Sequence, residues 1–306
     1  MLYFGPVLQL ECVPNLSEGR RPEVVARLVE AVAVSTISKR VGLLDVSSDP
    51  DHNRTVLTLA GDADGLHAAL LALYGEALAT IDLTRHAGVH PRVGAVDVVP
   101  FVPLGETPMA AAVAAAERLG AAVAERFGLP VYLYEEAARH PGRRRLADVR
   151  RGGFENFAAK LRDPAWQPDF GPAHLHPTAG ATVIGARFFL IAFNALLDTS
   201  DVTIARAVAR QVRESNGGQP AVRAMGVYLP SRGRAQVSMN LVDYRRTSLW
   251  TALERVRREA AQLGAQVIET EVVGLLPEEA AAGALRESLQ CPGLGPSSLL
   301  EHRLRA

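Results

Sequence analysis

FFLIAFNALLDTSDVTIARAVARQVRESNGGQPAVRAMGVYLPSRGRAQVSMNLV, Phe188 to Val242, carries a strand, a helix and two further strands in succession. Phe188–Asn194 is a strand-type apolar run, and Val202–Arg213 follows it as a helix ended by the glycines at 217 and 218. Val222–Leu229 and Ala235–Val242 then read as two strands joined by the turn SRGR, Ser231–Arg234. Downstream lie a helix over Leu249–Leu263, a strand over Ala265–Val273 and a short helix after Pro277. The order β-α-β-β-α-β is the split βαβ, ferredoxin-like arrangement.

Upstream, the chain repeats the theme. A strand at Val7–Val13 leads through the polar turn Pro14–Arg20 into a helix over Glu23–Val34, with Pro22 in its first turn. Val41–Val46 and Thr55–Ala60 are short strands around the turn-like Asp49–Asn53, before a helix over Ala63–Ala79. A strand at Val93–Val102, an Ala-rich helix over Pro108–Phe127 stopped by Gly128 and Pro130, and a strand at Val131–Tyr134 complete that half. Arg139–Trp166 is irregular or partly helical and basic, and the Pro/Gly-rich Gln167–Ala181 reads as a long connecting loop. The expected fold class is therefore α/β (α+β), with two ferredoxin-like subdomains, 1–181 and 182–306, packed around a cleft.

Composition limits the function. The 306 residues carry 33 Lys+Arg and 33 Asp+Glu, with 48% apolar and 22% charged residues. That is a globular balance, and zero net charge argues against a broad nucleic-acid surface. Cys12 and Cys291 are too few for a disulfide framework or a Cys-rich zinc site and read as structural thiols. No Lys or Arg precedes Arg20, so a basic signal-peptide start is missing, and the apolar run Phe188–Leu197 is too short to span a membrane. The expectation is a cytoplasmic protein without membrane partners.

HAGVHPRVGAVDVVPFVP, His86–Pro103, is the densest constellation. His86 and His90 have a spacing that on a helix would suit a metal, but Gly88 and Pro91 oppose a helix there, and no metal is expected. Acid–base chemistry is the sharper reading: a loop histidine held by Pro91, near Arg92 and Asp97, titrates close to neutrality. A structural loop histidine is the plain alternative. DPDHNRT, Asp49–Thr55, fails as a calcium loop because Arg54 takes the glycine position and Ala60 the glutamate position; it is either a turn or a loop offering Asn53 and Arg54 to an anion. In PNLSEGR, Pro14–Arg20, Ser17 or Glu18 can cap the following helix, or the loop can bind substrate. No phosphate loop, nucleophile elbow or complete dinucleotide fingerprint occurs. HPxxGA appears twice, at His90–Ala95 and His176–Ala181, which would set two polar loops facing one another across a cleft.

Together ECVPNLSEGR (Glu11–Arg20), NRTV (Asn53–Val56), HxGxHPRxGAxDVxPF (His86–Phe101), PVYLYEEAAR (Pro130–Arg139), PDFGP (Pro168–Pro172) and GARFFLIAFN (Gly185–Asn194) make the chain similar to the formiminotransferase family, the glutamate formimidoyltransferases of histidine breakdown. The resemblance implies transfer of the formimidoyl group between N-formimidoyl-L-glutamate and tetrahydrofolate, the latter as co-substrate. It implies a homodimer holding folate between the two subdomains. It also implies that the histidine before Pro-Arg, His90, is catalytic, and that folate is bound along Gly171, Pro172, Ala173, His174, Leu175, His176, Pro177, Thr178, Ala179 and Gly180. The cyclodeaminase domain of bifunctional members is not expected in this chain. Many relatives read Asp-Val-Asp where Asp45-Val46-Ser47 stands, so the role of that second acid passes to Asp45, Asp49 or Asp97.

Charge and loop placement make Arg54 and Arg92 the candidate carboxylate clamps, with Asn15, Asp45, Asn53 and Asp97 in support. Gly180 is expected to let folate approach the backbone, so Gly180→Val should weaken folate binding without unfolding the protein. Rival readings are a 5-formyltetrahydrofolate-dependent glutamate formyltransferase and a folate-binding protein without turnover.

Overall fold

A computed structural model describes residues 9–35, 41–281, 288, 291, 298 and 300. Val7 and Leu8 of the first expected strand lie outside these residues. The chain divides into two compact units between Arg187 and Phe188.

In the first unit, Leu10–Cys12 (β1) and Asn15–Leu16 (β2) are two stretches of one interrupted strand. Pro14 lies in the gap, where a residue without an N–H cannot donate to a ladder. Pro22–Ser35 (α1), Val41–Asp49 (β3), Arg54–Gly61 (β4), Ala63–Thr80 (α2) and Val96–Pro103 (β5) follow. The β1/β2 strand is antiparallel to both β4 and β5, and β3 is antiparallel to β4. That is the ferredoxin-like order. Met109–Phe127 (α3), Val131–Glu135 (β6), Leu146–Val149 (α4), Gly153–Lys160 (α5) and Thr182–Ala186 (β7) extend it. β7 sits between β5 and β6, parallel to each.

Alternation along the strands sorts the sheet's faces. Leu10, Cys12, Leu57 and Leu59 pack with Leu28, Leu66, Leu70 and Leu119 from the helices in one core. On the opposite face, Val149 of α4 and Phe157 of α5 pack against Val98, Tyr132, Tyr134 and Val183. Across the remainder of that second face, Glu11 stands opposite Ala60 and Val102, and Asn15 opposite Val56 and Val98.

The second unit bears out the reading of Phe188–Val242. Ile191–Leu197 (β8), Val202–Val212 (α6), Val222–Leu229 (β9), Arg234–Leu241 (β10), Leu249–Gln262 (α7) and Val267–Val273 (β11) form a sheet of order β11-β8-β10-β9, antiparallel throughout. Glu278–Ala281 (α8) is the short helix after Pro277. Alternate residues Ile191, Phe193, Ala195 and Leu197 pack with Val208, Val212, Leu253 and Val256. Cys12 and Cys291 are both buried, as structural thiols should be.

Sequence and structure part company around 167–187. The first strand of the second unit begins at Ile191 rather than Phe188, whose ring is exposed. Thr182–Ala186 is a strand of the first sheet, so the first unit continues past 181 to Arg187. Gln167–Ala181 is not a tether between the halves, because it is stitched into the first unit. Val131 N–H donates to Phe170 O at 2.9 Å, Leu83 N–H to Thr178 O at 2.8 Å and Ala95 N–H to Ala179 O at 2.9 Å. The two HPxxGA segments therefore do not face one another across a cleft. They lie side by side, with an antiparallel bridge between Gly94 and Gly180, and lead into the parallel neighbours β5 and β7.

This changes the expectation for Gly180. Its φ is +71°, and an added Cβ would stand 2.2 Å from Val93 O. The residue that needs the space is the protein's own backbone. The left-handed conformation alone costs an L-residue roughly 1–3 kcal/mol, and the contact adds to it. Gly180→Ala and Gly180→Val should therefore both lower the melting temperature of the ligand-free protein by several degrees, valine more, in a thermal melt followed by circular dichroism.

Candidate active site

The site is assembled where Asp49–Arg54 meets His86–Val93. Val89 N–H donates to Asp51 O at 3.2 Å, Asn53 Nδ2 to Ala87 O at 3.0 Å, and His86 Nε2 lies 2.9 Å from Asn53 O. Asn53 has a φ of +49°, a conformation asparagine tolerates better than most residues, and its Oδ1 accepts from Gly19 N–H at 2.9 Å. Both ends of the Asn53 amide are thus committed to holding loops together. Gly88 serves the same junction, since a Cβ there would meet His52 O at 2.3 Å. The N-terminal loop adds a cap: Glu18 Oε1 accepts from the backbone N–H groups of Gly19, Arg20 and Arg21 at 3.0, 2.9 and 3.0 Å.

Asp97 is the electrostatic centre. The β2–β5 register passes from Asn15–Val98 to Leu16–Val96, which leaves Asp97 as the extra residue of a bulge, a device that re-aims a side chain. Asp97 is fully buried; its Oδ1 accepts from Val93 N–H at 2.8 Å, and its Oδ2 takes Arg54 Nη1 at 2.8 Å together with Arg150 Nη2. Burial opposes its ionisation, but Arg150 and Arg54 outweigh burial and hold the carboxyl down at about 2. Burial lowers Arg54 to about 10 against the attraction of Asp97, which leaves it charged at neutral pH. Arg54 Nε also donates to Asn15 Oδ1 at 3.0 Å. Two guanidiniums face one carboxylate here, so the cluster carries surplus positive charge.

His90 stands in that field, half-buried. Its Nδ1 lies 2.8 Å from Pro91 O. A carbonyl only accepts, so Nδ1 carries the hydrogen and Nε2 the lone pair. Burial, then Arg54 and Arg150, drive the imidazole well below its usual range, with Asp97 and the Pro91 carbonyl pulling the other way. At neutral pH His90 is a neutral base. Activity that needs this base falls only as pH drops through the lowered value. The acid limb of a kcat/KM–pH profile should therefore lie below the ordinary histidine value of about 6.5.

The other sequence candidates fall into place around this pair. Arg92 is already engaged, its Nη2 donating to His86 O at 3.0 Å and to Glu155 Oε1 at 2.8 Å. Asp45 stands opposite Thr58, and Ser47 opposite Val56, on β3. In Gly171–Gly180, Gly171, Ala173, His174 and Pro177 are exposed, whereas Pro172, Leu175, His176 and Thr178 are half-buried and Ala179 and Gly180 are buried. His176 Nδ1 accepts from Ala179 N–H at 3.1 Å, and His176 and Gly180 exchange backbone hydrogen bonds at 3.0 Å. Among the described residues, no three His, Cys, Asp or Glu side chains are grouped as a metal site. No helix among them is long and apolar enough to cross a membrane.

Three residues escaped sequence reasoning. Arg150 looked like one more residue of the basic stretch Arg139–Trp166. Glu11 looked like a routine strand residue, yet it is buried, its Oε2 has no hydrogen-bond partner among the described residues, and burial raises it to about 7 against the pull of Arg187. His52 was absorbed into a turn; it is buried, and its ring centroid lies 6.0 Å from that of His90.

A neutral histidine base beside a surplus of guanidinium charge, on a ferredoxin-like sheet, is equipment for acid–base group transfer on an anionic small molecule. Comparison with known proteins narrows the class. Residues 9–187 match the formiminotransferase domain, N-terminal subdomain, and residues 192–286 match the formiminotransferase domain. The chain belongs to the formiminotransferase family. It is 42% identical over 298 residues to the glutamate formimidoyltransferase of Thermoplasma acidophilum, covering 96% of this chain and 97% of that one. It is 43% identical to the glutamate formimidoyltransferase of Streptococcus pyogenes, covering 89% and 90%. The formimidoyltransferase-cyclodeaminase of Sus scrofa is 44% identical over 89% of this chain, which spans 50% of that longer protein.

Proposed function

We propose that this protein is a glutamate formimidoyltransferase, moving the formimidoyl group between N-formimidoyl-L-glutamate and tetrahydrofolate in histidine degradation, with His90 as the proton-transfer base. The observation that carries the reading is the neutral His90, its Nε2 lone pair left for a substrate proton, beside the Arg54–Asp97–Arg150 cluster.

Each part has a task. The guanidinium surplus receives a substrate carboxylate, with Arg54 and Arg150 supplying the charge and Asn15 steadying Arg54. His90 Nε2 accepts the proton released as folate N5 bonds to the amidine carbon, a contribution of about 10²–10⁴-fold. Holding both substrates in line supplies a further large share of the rate. Asp97 keeps the two arginines in place and moderates their effect on His90. The stretch Gly171–Gly180 belongs to the folate site in this reading, with the exposed His174 and the half-buried Leu175 offering side chains, and Gly180 serving the scaffold. The same reading, resting on the family resemblance, includes a homodimer in the cytoplasm; light scattering would test the dimer.

The deciding experiment is a side-by-side turnover assay. Formimidoylglutamate with tetrahydrofolate should give 5-formimidoyltetrahydrofolate, followed by absorbance. Faster turnover with 5-formyltetrahydrofolate and glutamate would move the assignment to formyl transfer, and stoichiometric folate binding without product would remove the enzyme reading.

A further inference from the structure

His52 is a buried titratable group beside His90 that this mechanism leaves unused. It sits in the turn between β3 and β4, and Asp49 grips it twice. Asp49 Oδ1 accepts from His52 backbone N–H at 2.7 Å and lies 3.1 Å from its Nδ1. Nδ1 therefore carries a hydrogen toward the carboxylate, and Nε2 meets no hydrogen-bond partner among the described residues. Asp49 stays ionised: burial pushes its carboxyl up, but the hydrogen bonds and charge of His52 more than offset this. The zipped loops fix the two imidazoles at 6.0 Å between centroids, with planes inclined at 54°. Their surroundings are opposite in sign, a carboxylate against His52 and two guanidiniums toward His90.

The transfer needs two proton movements on one small group. A bond forms between folate N5 and the amidine carbon, and N5 gives up a proton. The bond from that carbon to the glutamate nitrogen breaks, and this nitrogen takes up a proton. From the Asp49–His52 dyad beside His90 we infer that the two movements are divided between two histidines: His90 accepts the proton from N5, and His52, oriented by Asp49, donates one to the departing glutamate nitrogen. His90 then holds the proton that His52 has lost, and exchange through solvent restores both. No further reactant is required. This division rests on the formimidoyl-transfer reading. A carboxylate orienting one histidine, with guanidiniums beside its neighbour, is an arrangement by which a site divides acid and base roles.

The test is single-turnover kinetics of His52→Gln with formimidoylglutamate and tetrahydrofolate, in water and in H2O/D2O mixtures. With both movements in one transition state, the wild type should show a bowed dependence on deuterium fraction, reporting two protons in flight; a linear wild-type dependence would overturn the proposal. The variant should be slowed roughly 10²-fold or more, with KM for both substrates within about threefold and the dependence reduced to a line. An unchanged rate, a raised KM at an unchanged rate, or a bowed dependence in a slowed variant would overturn the proposal. Asp49→Asn, at a partly exposed position, is the second arm should His52→Gln fold poorly. It should slow single turnover at unchanged KM, and a wild-type rate there would equally contradict the dyad. If the wild type itself transfers nothing, the formimidoyl reading fails, an outcome distinct from an active wild type with an indifferent His52.

Discussion

His90→Ala should lower kcat by about 10²-fold or more while tetrahydrofolate still binds within a few-fold of the parent. The size follows from the role proposed for His90: an alanine cannot accept a proton from N5, and water in its place is far less basic. The split follows from the geometry. Among the described residues His90 hydrogen-bonds only to Pro91 O, whereas the charge proposed to receive the substrate carboxylate is that of Arg54 and Arg150, which the substitution leaves standing. The fold should tolerate the change, because the loop is held by Asn53, His86 and the Val89–Asp51 bond rather than by the His90 ring. Steady-state kinetics with parallel folate titration checks this; near-normal kcat in a folded variant removes His90 from the mechanism. His86→Ala should be milder in kcat, since the His86 ring ties down the Asn53 carbonyl and is not aimed at a free site.

Asp97→Ala should produce the largest loss of stability. The substitution leaves Arg54 and Arg150 close together, mutually repelling and without their counter-charge, and it strands the Val93 N–H. Removing one partner from a buried ion cluster costs about 3–5 kcal/mol, which for a protein of this size lowers the melting temperature by roughly 5–8 °C. The pH dependence gives an independent check. Asp97 is held at about 2 in the fold against an ordinary value of 3.8, so its contribution is fully present above about pH 4 and disappears as pH falls toward 2. The linkage amounts to about 2 kcal/mol. Urea unfolding at pH 7 and pH 3 should show the variant much weaker at pH 7, with a smaller gap from the parent at pH 3. A gap that widens on acidification would contradict the assigned ion cluster.

Much of the architecture was legible because the signals were local. In the second unit each strand and helix has its own periodicity and its own stop, such as Gly217 or Ser231–Arg234, and the βαββαβ order has one common solution. β7 was not legible. It is five residues, TVIGA, and its pairing with β5 and β6 is parallel and spans long sequence separations, so nothing near it announces a strand. Its only clue was the repeated HPxxGA, whose meaning is adjacency in one sheet.

The site divides in the same way. His90, Arg92 and Asp97 stand together in sequence, and Arg54 was flagged by its charge in a loop. Arg150 reaches Asp97 across 53 residues and could not be told from its basic neighbours. His52 hid because a turn explains DPDHN adequately until the second histidine loop is laid against it. Arg92 shows the converse: its charge was visible, but its partner Glu155, from α5, was not.

The most direct measurement of the central claim is to mix the protein with 13C-formimidoyl-labelled glutamate and tetrahydrofolate and follow the label by NMR, for the parent and for His90→Ala. The labelled carbon should move from the glutamate nitrogen to folate N5 in the parent, without loss to solvent, and remain on glutamate over the same period in His90→Ala. Label that stays on glutamate in the parent, or that moves equally fast in both proteins, would contradict the central claim.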